Sequence, residues 1–302
     1  MKIRIEDNPY STLYFDITYR CNMNCKICYN HKIMQNNNYD MSPEYFREVL
    51  ERLPKKRYLI RLLGGEPTIH PNLFEFIKIA NEFKHFVSIG TNGVRFANKD
   101  FIEEVKTWKN PEIAHKNNVY VGEYPFALFF DLSGGTTTDK FYDKLSDKKH
   151  LELKLKGIQN CIDIGIHTLG VTGIVVRDYN EDIIPDLISF CSERSSMHGL
   201  HFRTMAKSGQ WMDREPYTVQ ELKKLVKKSL PNWDKYPKLR GYSAPEGKQC
   251  FDCCNRVYAA EIKTRVDLIE FGSKRAAKCW QRGYINDDFT VSSFFGRIRS
   301  EG

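Results

Sequence analysis

Apolar positions along the chain form short continuous runs, and these alternate with longer stretches in which apolar residues recur every third or fourth position. The short runs predict buried strands at 12–17, 57–63, 85–90, 126–132, 165–176 and 200–204. The longer stretches predict amphipathic helices at 43–53, 71–80, 99–106, 148–163 and 183–193. This alternation indicates parallel βα units and an α/β fold. The proline-containing segment 107–125 interrupts the alternation, and we predict an irregular loop there.

Polar or glycine-containing segments follow the predicted strands, at the end where ligands bind in parallel βα folds. Three cysteines follow the first strand, a Gly-Gly-Glu-Pro motif follows the second, and a Thr-Asn-Gly turn follows the third. Ser133 stands at the end of the fourth strand and Arg203 at the end of the sixth. Because parallel strands share one carboxyl edge, we expect these groups to lie near one another.

Cys21, Cys25 and Cys28 form a C-x3-C-x2-C frame in a polar loop. Three thiolates cannot by themselves complete the tetrahedral site of structural zinc. They suit an iron–sulfur cluster, and a 4Fe–4S cube on three cysteines leaves one iron open for another ligand. A zinc knuckle or a redox thiol cluster is the alternative for this frame taken alone. Cys161 and Cys191 fall among apolar neighbours in predicted helices, which indicates core packing.

The Gly-Gly-Glu-Pro motif consists of Gly64, Gly65, Glu66 and Pro67 and ends a buried strand. Two glycines allow the backbone to approach a ligand closely, because glycine has no Cβ. A carboxylate suits an ammonium group. The cysteine frame and this motif together resemble the radical S-adenosylmethionine (SAM) superfamily.

The resemblance implies a 4Fe–4S cluster on the three cysteines, with SAM bound to the open iron through its amino and carboxyl groups. In the superfamily the Gly-Gly-Glu-Pro motif holds the SAM amino group, and polar groups at the strand end occupied here by Asn92 lie near SAM. The resemblance also narrows the fold to a partial (β/α)6 barrel of the TIM type with a small C-terminal α+β extension. We predict further cofactor contacts for Tyr29, Ser133 and Arg203, the last because a guanidinium binds a carboxylate bidentately.

Length and composition limit the classes of protein to which the chain can belong. Its 302 residues, 41% apolar and 28% charged, are ordinary for a soluble globular protein. No apolar run reaches the roughly 18 residues of a membrane span, and the start lacks the core of a signal peptide, so we expect a cytoplasmic protein. Nine cysteines then favour cofactor ligation over disulfides. The net charge of +8 is spread out, and no basic array indicates a nucleic-acid partner.

Four more cysteines, Cys250, Cys253, Cys254 and Cys279, lie near the C-terminus. This region resembles the twitch type of extension, a half-size relative of the SPASM domain that holds an auxiliary iron–sulfur cluster. The resemblance divides the chain into a barrel (1–215) and an extension (216–302), with Cys250, Cys253 and Cys279 as auxiliary-cluster ligands. Two alternatives remain: a zinc site that closes the barrel, or Cys254 as a catalytic hydrogen-atom donor.

The resemblance implies reductive cleavage of SAM to methionine and a 5′-deoxyadenosyl radical, which abstracts hydrogen from a peptide or a small molecule. With an auxiliary cluster we expect oxidation, crosslinking or dehydrogenation; with a cysteine donor we expect redox-neutral epimerisation. The implied partner is an electron donor such as flavodoxin or ferredoxin. The chain begins almost at the first strand, which favours a small molecule or a free-standing leader-binding partner. A structural or sensing iron–sulfur or zinc protein is the non-enzyme alternative, and it would not need Glu66.

Overall fold

The computed structural model describes residues 2–10, 12–31, 34, 38–117, 123–146, 150–167, 169–194, 196–205, 210–211, 213–229, 240–241, 256–259, 282–285 and 288–293. These residues contain one extended sheet. Its strands are β1 (Lys2–Arg4), β2 (Thr12–Thr18), β3 (Leu59–Gly64), β4 (Phe86–Thr91), β5 (Ala127–Asp131), β6 (Leu169–Val175), β7 (Met197–Thr204), β8 (Arg240–Gly241), β9 (Arg256–Ala259), β10 (Arg282–Ile285) and β11 (Thr290–Ser293). They lie in the order β1-β11-β10-β2-β3-β4-β5-β6-β7-β9-β8.

The six strands from β2 to β7 are parallel neighbours in sequence order. This arrangement confirms the predicted α/β class and parallel sheet, and it is consistent with a partial barrel of the TIM type. All six predicted strands exist, with ends that differ by a few residues. Parallel strands need crossover connections, and the helices supply them.

The helices are α1 (Pro43–Arg52), α2 (Leu73–Glu82), α3 (Lys99–Lys106), α4 (Pro111–Asn117), α5 (Lys140–Ser146), α6 (Leu151–Asp163), α7 (Ile183–Ser192) and α8 (Val219–Ser229). The five predicted helices are confirmed as α1, α2, α3, α6 and α7. The prediction of an irregular loop at 107–125 is wrong in part, because α4 lies within it. Helix α5 was not predicted. No helix in the described part of the chain is long and apolar enough to cross a bilayer.

Successive residues of each parallel strand face opposite sides of the sheet. On β3, Ile60 and Leu62 belong to the main apolar core, and Arg61 between them faces the other way. On β5, Leu128 and Phe130 belong to the core in the same manner. The core therefore lies between the sheet and the helices. The opposite side, here termed the interior face, carries a mixture of polar and aromatic residues.

Strands from the C-terminal part of the chain lie at both edges of the parallel sheet. Strand β9 pairs antiparallel with β7, and β10 pairs parallel with β2. Strand β11 pairs with both β10 and β1. The described parts of 216–302 thus continue the same sheet, and the division into 1–215 and 216–302 stays a prediction.

The buried His85 gives a testable pH dependence. Its ring is 5% exposed, packs edge-on against Tyr58, and has no hydrogen-bond partner for either nitrogen among the described residues. Burial, with a smaller contribution from the charge of Arg57, lowers the pKa of His85 to about 4. The folded state therefore binds fewer protons than the unfolded state, and stability falls as the pH drops from about 6.5 towards 4.

We expect the free energy of unfolding to fall between pH 7 and pH 5 by about 2 kcal/mol more in the wild type than in His85→Phe. Denaturant titrations of the anaerobic protein at the two pH values measure this difference. His167→Phe, at an exposed position, should keep the wild-type dependence. An unchanged pH dependence in His85→Phe would contradict the assignment.

Candidate functional site

The loops that follow β2, β3 and β4 meet at the carboxyl edge of the parallel sheet. The backbone N–H of Glu66 donates to the carbonyl oxygen of Arg20 at 2.9 Å, which joins the Gly-Gly-Glu-Pro motif to the cysteine loop. Asn92 Nδ2 donates to Asn22 Oδ1 at 2.7 Å, which joins the Thr-Asn-Gly turn to the same loop. The structure thus brings together three segments that the sequence placed at one edge by strand order alone.

The three cysteine side chains of the loop are partly buried. Burial raises the pKa of Cys21 to about 11 and that of Cys28 to about 12, and it also raises the pKa of Cys25. Charge on Cys21 would raise the pKa of both other thiols, so the three sulfurs lie close enough to interact. Thiolates here therefore require cations beside them.

Iron ions held by thiolates supply that positive charge, and binding deprotonates the ligands. The donor set, three soft sulfur atoms in one loop, therefore fits an iron–sulfur cluster. In the described part of the chain, no three side chains of Cys, His, Asp or Glu are grouped to hold a single metal ion.

The middle of the cysteine loop is anchored by two segments that lie far along the chain. The N–H of Lys26 donates to the carbonyl oxygen of Leu145 in α5 at 2.7 Å, and the N–H of Gln210 donates to the carbonyl oxygen of Lys26 at 2.8 Å. The side chain of Gln210 also lies 2.8 Å from Nε2 of His31. Helix α5, which the sequence analysis missed, is therefore part of the support of the site.

An ion pair closes the base of the cysteine loop. Arg20 donates from Nε to Asp40 Oδ1 at 3.1 Å and from Nη2 to Oδ2 at 2.6 Å, and the hydroxyl of Thr18 donates to the same carboxylate. Burial alone would raise the pKa of Asp40, but the hydrogen bonds from Arg20 and Thr18 outweigh it and hold the pKa below its usual value. A bidentate pair of this kind fixes direction as well as distance.

The two glycines of the motif pack against the backbone that leads into Cys21. A Cβ on Gly65 would lie less than 3.0 Å from the carbonyl oxygen of Arg20, and one on Gly64 would lie as close to that of Thr18. Gly64 also has a φ of +126°, which side chains rarely allow. The close approach that requires glycine is therefore made by the cysteine loop itself.

Glu66 lies beneath this contact and is 1% exposed. Its Oε1 accepts from the N–H and the hydroxyl of Thr68, at 3.1 and 2.6 Å, and from the hydroxyl of Thr91 at 2.7 Å. Its Oε2 accepts from the N–H of Asn92 at 2.7 Å. Burial raises the pKa of Glu66, while these hydrogen bonds favour the charged form. The carboxylate therefore ties β3 to β4; its predicted contact with the SAM amino group stays a prediction.

The other predicted cofactor residues lie in or beside the same edge. Pro67 is buried in a short 3-10 turn. The hydroxyl of Ser133 donates to Asp131 Oδ1 at 2.5 Å and accepts from the N–H of Ile174 at 2.9 Å, so it joins the ends of β5 and β6. Arg203 is the penultimate residue of β7 and is partly buried, as is Tyr29 in the cysteine loop.

A buried lysine at this edge was missed by the sequence analysis. The side chain of Lys154 in α6 is fully buried, and its Nζ donates to the carbonyl oxygen of Asp131 at 2.8 Å and lies 3.4 Å from Oδ2 of the same residue. Its positive charge lowers the pKa of Cys21 and Cys25, so it lies near the cysteine loop. Its place on the apolar side of a predicted helix was the available signal.

The remaining cysteines divide into two groups. Cys161 and Cys191 are fully buried in the main apolar core, which confirms that they are packing residues. The predicted residues near the C-terminus lie outside the described part of the chain: Cys250, Cys253, Cys254 and Cys279. Their roles as cluster ligands, zinc ligands or hydrogen donor stay predictions.

Comparison with known proteins gives the family. The profile of the Radical SAM superfamily matches residues 15–191. The chain belongs to the Radical SAM superfamily, which implies a 4Fe–4S cluster and SAM as cofactors.

Two curated relatives show how far the likeness extends. The 7,8-dihydro-6-hydroxymethylpterin dimethyltransferase of Methanocaldococcus jannaschii is 28% identical over 201 residues, which cover 65% of this chain and 36% of that protein. The probable GTP 3',8-cyclase of Methanothermobacter marburgensis is 25% identical over 202 residues, which cover 65% of this chain and 59% of that protein. The match thus spans less than two thirds of either relative.

Solved structures agree on the fold. Streptococcus suis SuiB bound to S-adenosylmethionine superimposes with a TM-score of 0.56 at 14% identity, over 75% of this chain and 48% of that one. The enzyme anSMEcpe with bound AdoMet gives a TM-score of 0.52 at 13% identity, over 76% of this chain and 60% of that one. Identities this low support the architecture alone.

The glycine contact can be tested by adding one methyl group. We expect Gly65→Ala to lower the free energy of unfolding by about 2 kcal/mol, because the Cβ overlaps the Arg20 backbone, which cannot move aside cheaply. Gly199→Ala is the matched control, since its Cβ would meet its nearest atoms at 3.6 and 3.7 Å, an ordinary contact. Denaturant titration of both variants measures the difference. Equal losses in the two would contradict the packing explanation.

Proposed function

We propose that this enzyme binds a 4Fe–4S cluster through Cys21, Cys25 and Cys28, binds SAM beside it, and abstracts hydrogen from a small molecule or a peptide. The observation that carries the proposal is the meeting of three interacting thiols with the Gly-Gly-Glu-Pro motif at one edge of the sheet. When bound, the two cofactors supply the reductive cleavage of SAM and the radical that results. The chain itself binds, orients and excludes water.

Lys154 is our candidate for holding the carboxylate of SAM. It combines full burial, a charge near the cysteine loop and a fixed position, since Asp131 accepts from it twice. An ammonium in such a place is compensated only partly by a carboxylate that is itself about one-third exposed. A second anion beside Lys154 would therefore be favourable. Arg203 remains the alternative that the sequence suggested.

The interior face supports a polar substrate with a planar group. Arg61 lies with its guanidinium carbon 5.1 Å from the ring centre of Phe129 and 5.8 Å from that of Tyr14. Phe129 in turn stacks on His201, at 5.2 Å between ring centres. Guanidinium and aromatic groups arranged in this way suit heterocycles. Since the two relatives are named for pterin and GTP chemistry, we favour a small heterocyclic metabolite over a peptide.

The outcome of the reaction depends on the C-terminal cysteines in our proposal. An auxiliary cluster on Cys250, Cys253 and Cys279 favours oxidation, crosslinking or dehydrogenation of the substrate. A hydrogen-donating Cys254 favours epimerisation, and a cluster-free zinc site favours neither. An electron donor of the flavodoxin or ferredoxin type supplies the electron in each case.

Iron and sulfide content after anaerobic reconstitution tests the cofactor assignment. We expect about eight irons per chain, falling to about four in a Cys21/Cys25/Cys28→Ala triple variant, if two cubes are present. A fall from about four to none would leave one cluster and move the epimerase alternative forward. Cys161→Ala, at a buried core cysteine, is the control for loss of a thiol without loss of a ligand.

A triple variant that keeps the full iron content would overturn the cluster assignment. SAM cleavage provides a second measurement on the same samples. With dithionite as reductant, the wild type should release 5′-deoxyadenosine, and the triple variant should release none. Absence of cleavage by a fully loaded wild type would favour the structural or sensing protein.

Lys154→Met tests the lysine separately. We expect the dissociation constant for SAM to rise roughly tenfold, the usual size of a lost charge-assisted hydrogen bond, with iron content unchanged because the lysine holds no iron. Equilibrium dialysis with labelled SAM on the reconstituted protein measures both. Lys156→Met, two residues along the same helix at an exposed position, should bind SAM like the wild type. Unchanged affinity in Lys154→Met would return the role to Arg203.

A further inference from the structure

We infer that a hydrogen-bond relay from Glu66 through Asn92 to Asn22 positions the cysteine loop for its cluster. The three side chains come from the loops after β3, β4 and β2, so the relay crosses the edge at which the candidate site lies. The inference rests on the proposed function in that it takes the loop as the cluster-binding element. It makes Glu66, Asn92 and Asn22 positioning residues of the cluster.

The relay begins at a group that cannot move. Glu66 is 1% exposed, and four donors from Thr68, Thr91 and Asn92 hold its two oxygens. A buried carboxylate that lost these donors would carry an uncompensated charge, so each bond is retained at considerable strength. The bond to the N–H of Asn92, at 2.7 Å, fixes the backbone at the end of β4.

The direction of the next bond follows from the chemistry of the amide. The side-chain oxygen of Asn92 accepts from the N–H of Val94 at 3.0 Å, and a backbone N–H can only donate. The nitrogen of the Asn92 amide must therefore face Asn22, and it donates to Asn22 Oδ1 at 2.7 Å. Position 92 thus needs a donor and an acceptor, whereas position 22 needs only an acceptor for this bond.

The last residue of the relay stands directly after Cys21 in the chain. The middle of the loop is held elsewhere, by the bonds of Lys26 to Leu145 and Gln210. The relay therefore restrains the first half of the loop and the other bonds restrain the second. A loop fixed before the cluster arrives gives up less conformational entropy on binding, which slows release of the cluster.

The asymmetry between the two asparagines gives a sharp test. Asn22→Asp keeps the acceptor, and Asn22→Ala removes it. Asn92→Asp keeps the oxygen that Val94 uses but removes the donor. In the reconstituted full-length protein, we expect an iron chelator to remove iron roughly three to ten times faster from Asn22→Ala and Asn92→Asp than from the wild type, the usual effect of one hydrogen bond. Asn22→Asp should lose iron close to the wild-type rate.

A second readout does not need the cluster. In the metal-free full-length chain, alkylation by iodoacetamide at Cys21 should be faster in Asn22→Ala and Asn92→Asp, and close to the wild type in Asn22→Asp. Mass spectrometry reports the rate at each cysteine. Asn72→Ala is the control, since Asn72 is exposed and its side chain makes no capping bond to α2. Circular dichroism confirms that each variant is folded.

The outcomes separate the relay from the proposed function. If Asn22→Asp is as impaired as Asn22→Ala, or Asn92→Asp matches the wild type in both assays, the relay is refuted. If the wild type takes up no cluster, the proposed function fails, while the alkylation rates still decide the relay. A uniform loss in all three variants, with altered circular dichroism, would mark general destabilisation and would also refute the directed bond.

Discussion

The buried carboxylate of Glu66 is the constraint on which the candidate site depends. A charge with 1% exposure is tolerated only where donors surround it, and here four donors do so from the ends of two neighbouring strands. Because the same segment packs its glycines onto the backbone before Cys21, the cysteine loop inherits its place from that carboxylate. The motif at 64–67 is thus as much a structural joint as a ligand contact.

Electrostatic balance at the edge follows from burial as well. The thiols resist ionisation because they are partly removed from water, and the one fully buried lysine of the described helices stands close enough to oppose that effect. Lys154 is held in place by Asp131, so its charge is present whether or not a ligand is bound. The edge is therefore arranged for negatively charged groups before any cofactor is considered.

Sequence reasoning found what is local and missed what depends on distant partners. The strand at 12–17 was visible as an apolar run, and α1 was visible because Ser42 caps it and Pro43 starts it. Helix α4 was missed although Asn110 caps Ile113 in the same manner, because the prolines were taken as loop signals. The bond between Asn22 and Asn92 joins residues 70 positions apart, and no local pattern records it.

The pairing of β10 with β2 has a consequence for how the chain reaches its native state. Thr12 lies opposite Arg282, so the first parallel strand finds one of its two neighbours only after almost the whole polypeptide has been synthesised. Until then the edge of β2 presents unpaired backbone groups, the situation that invites association between nascent chains. The cysteine loop follows β2 directly. Maturation of the metal centre is therefore expected to be coupled to the completion of translation and not to the emergence of the cysteines.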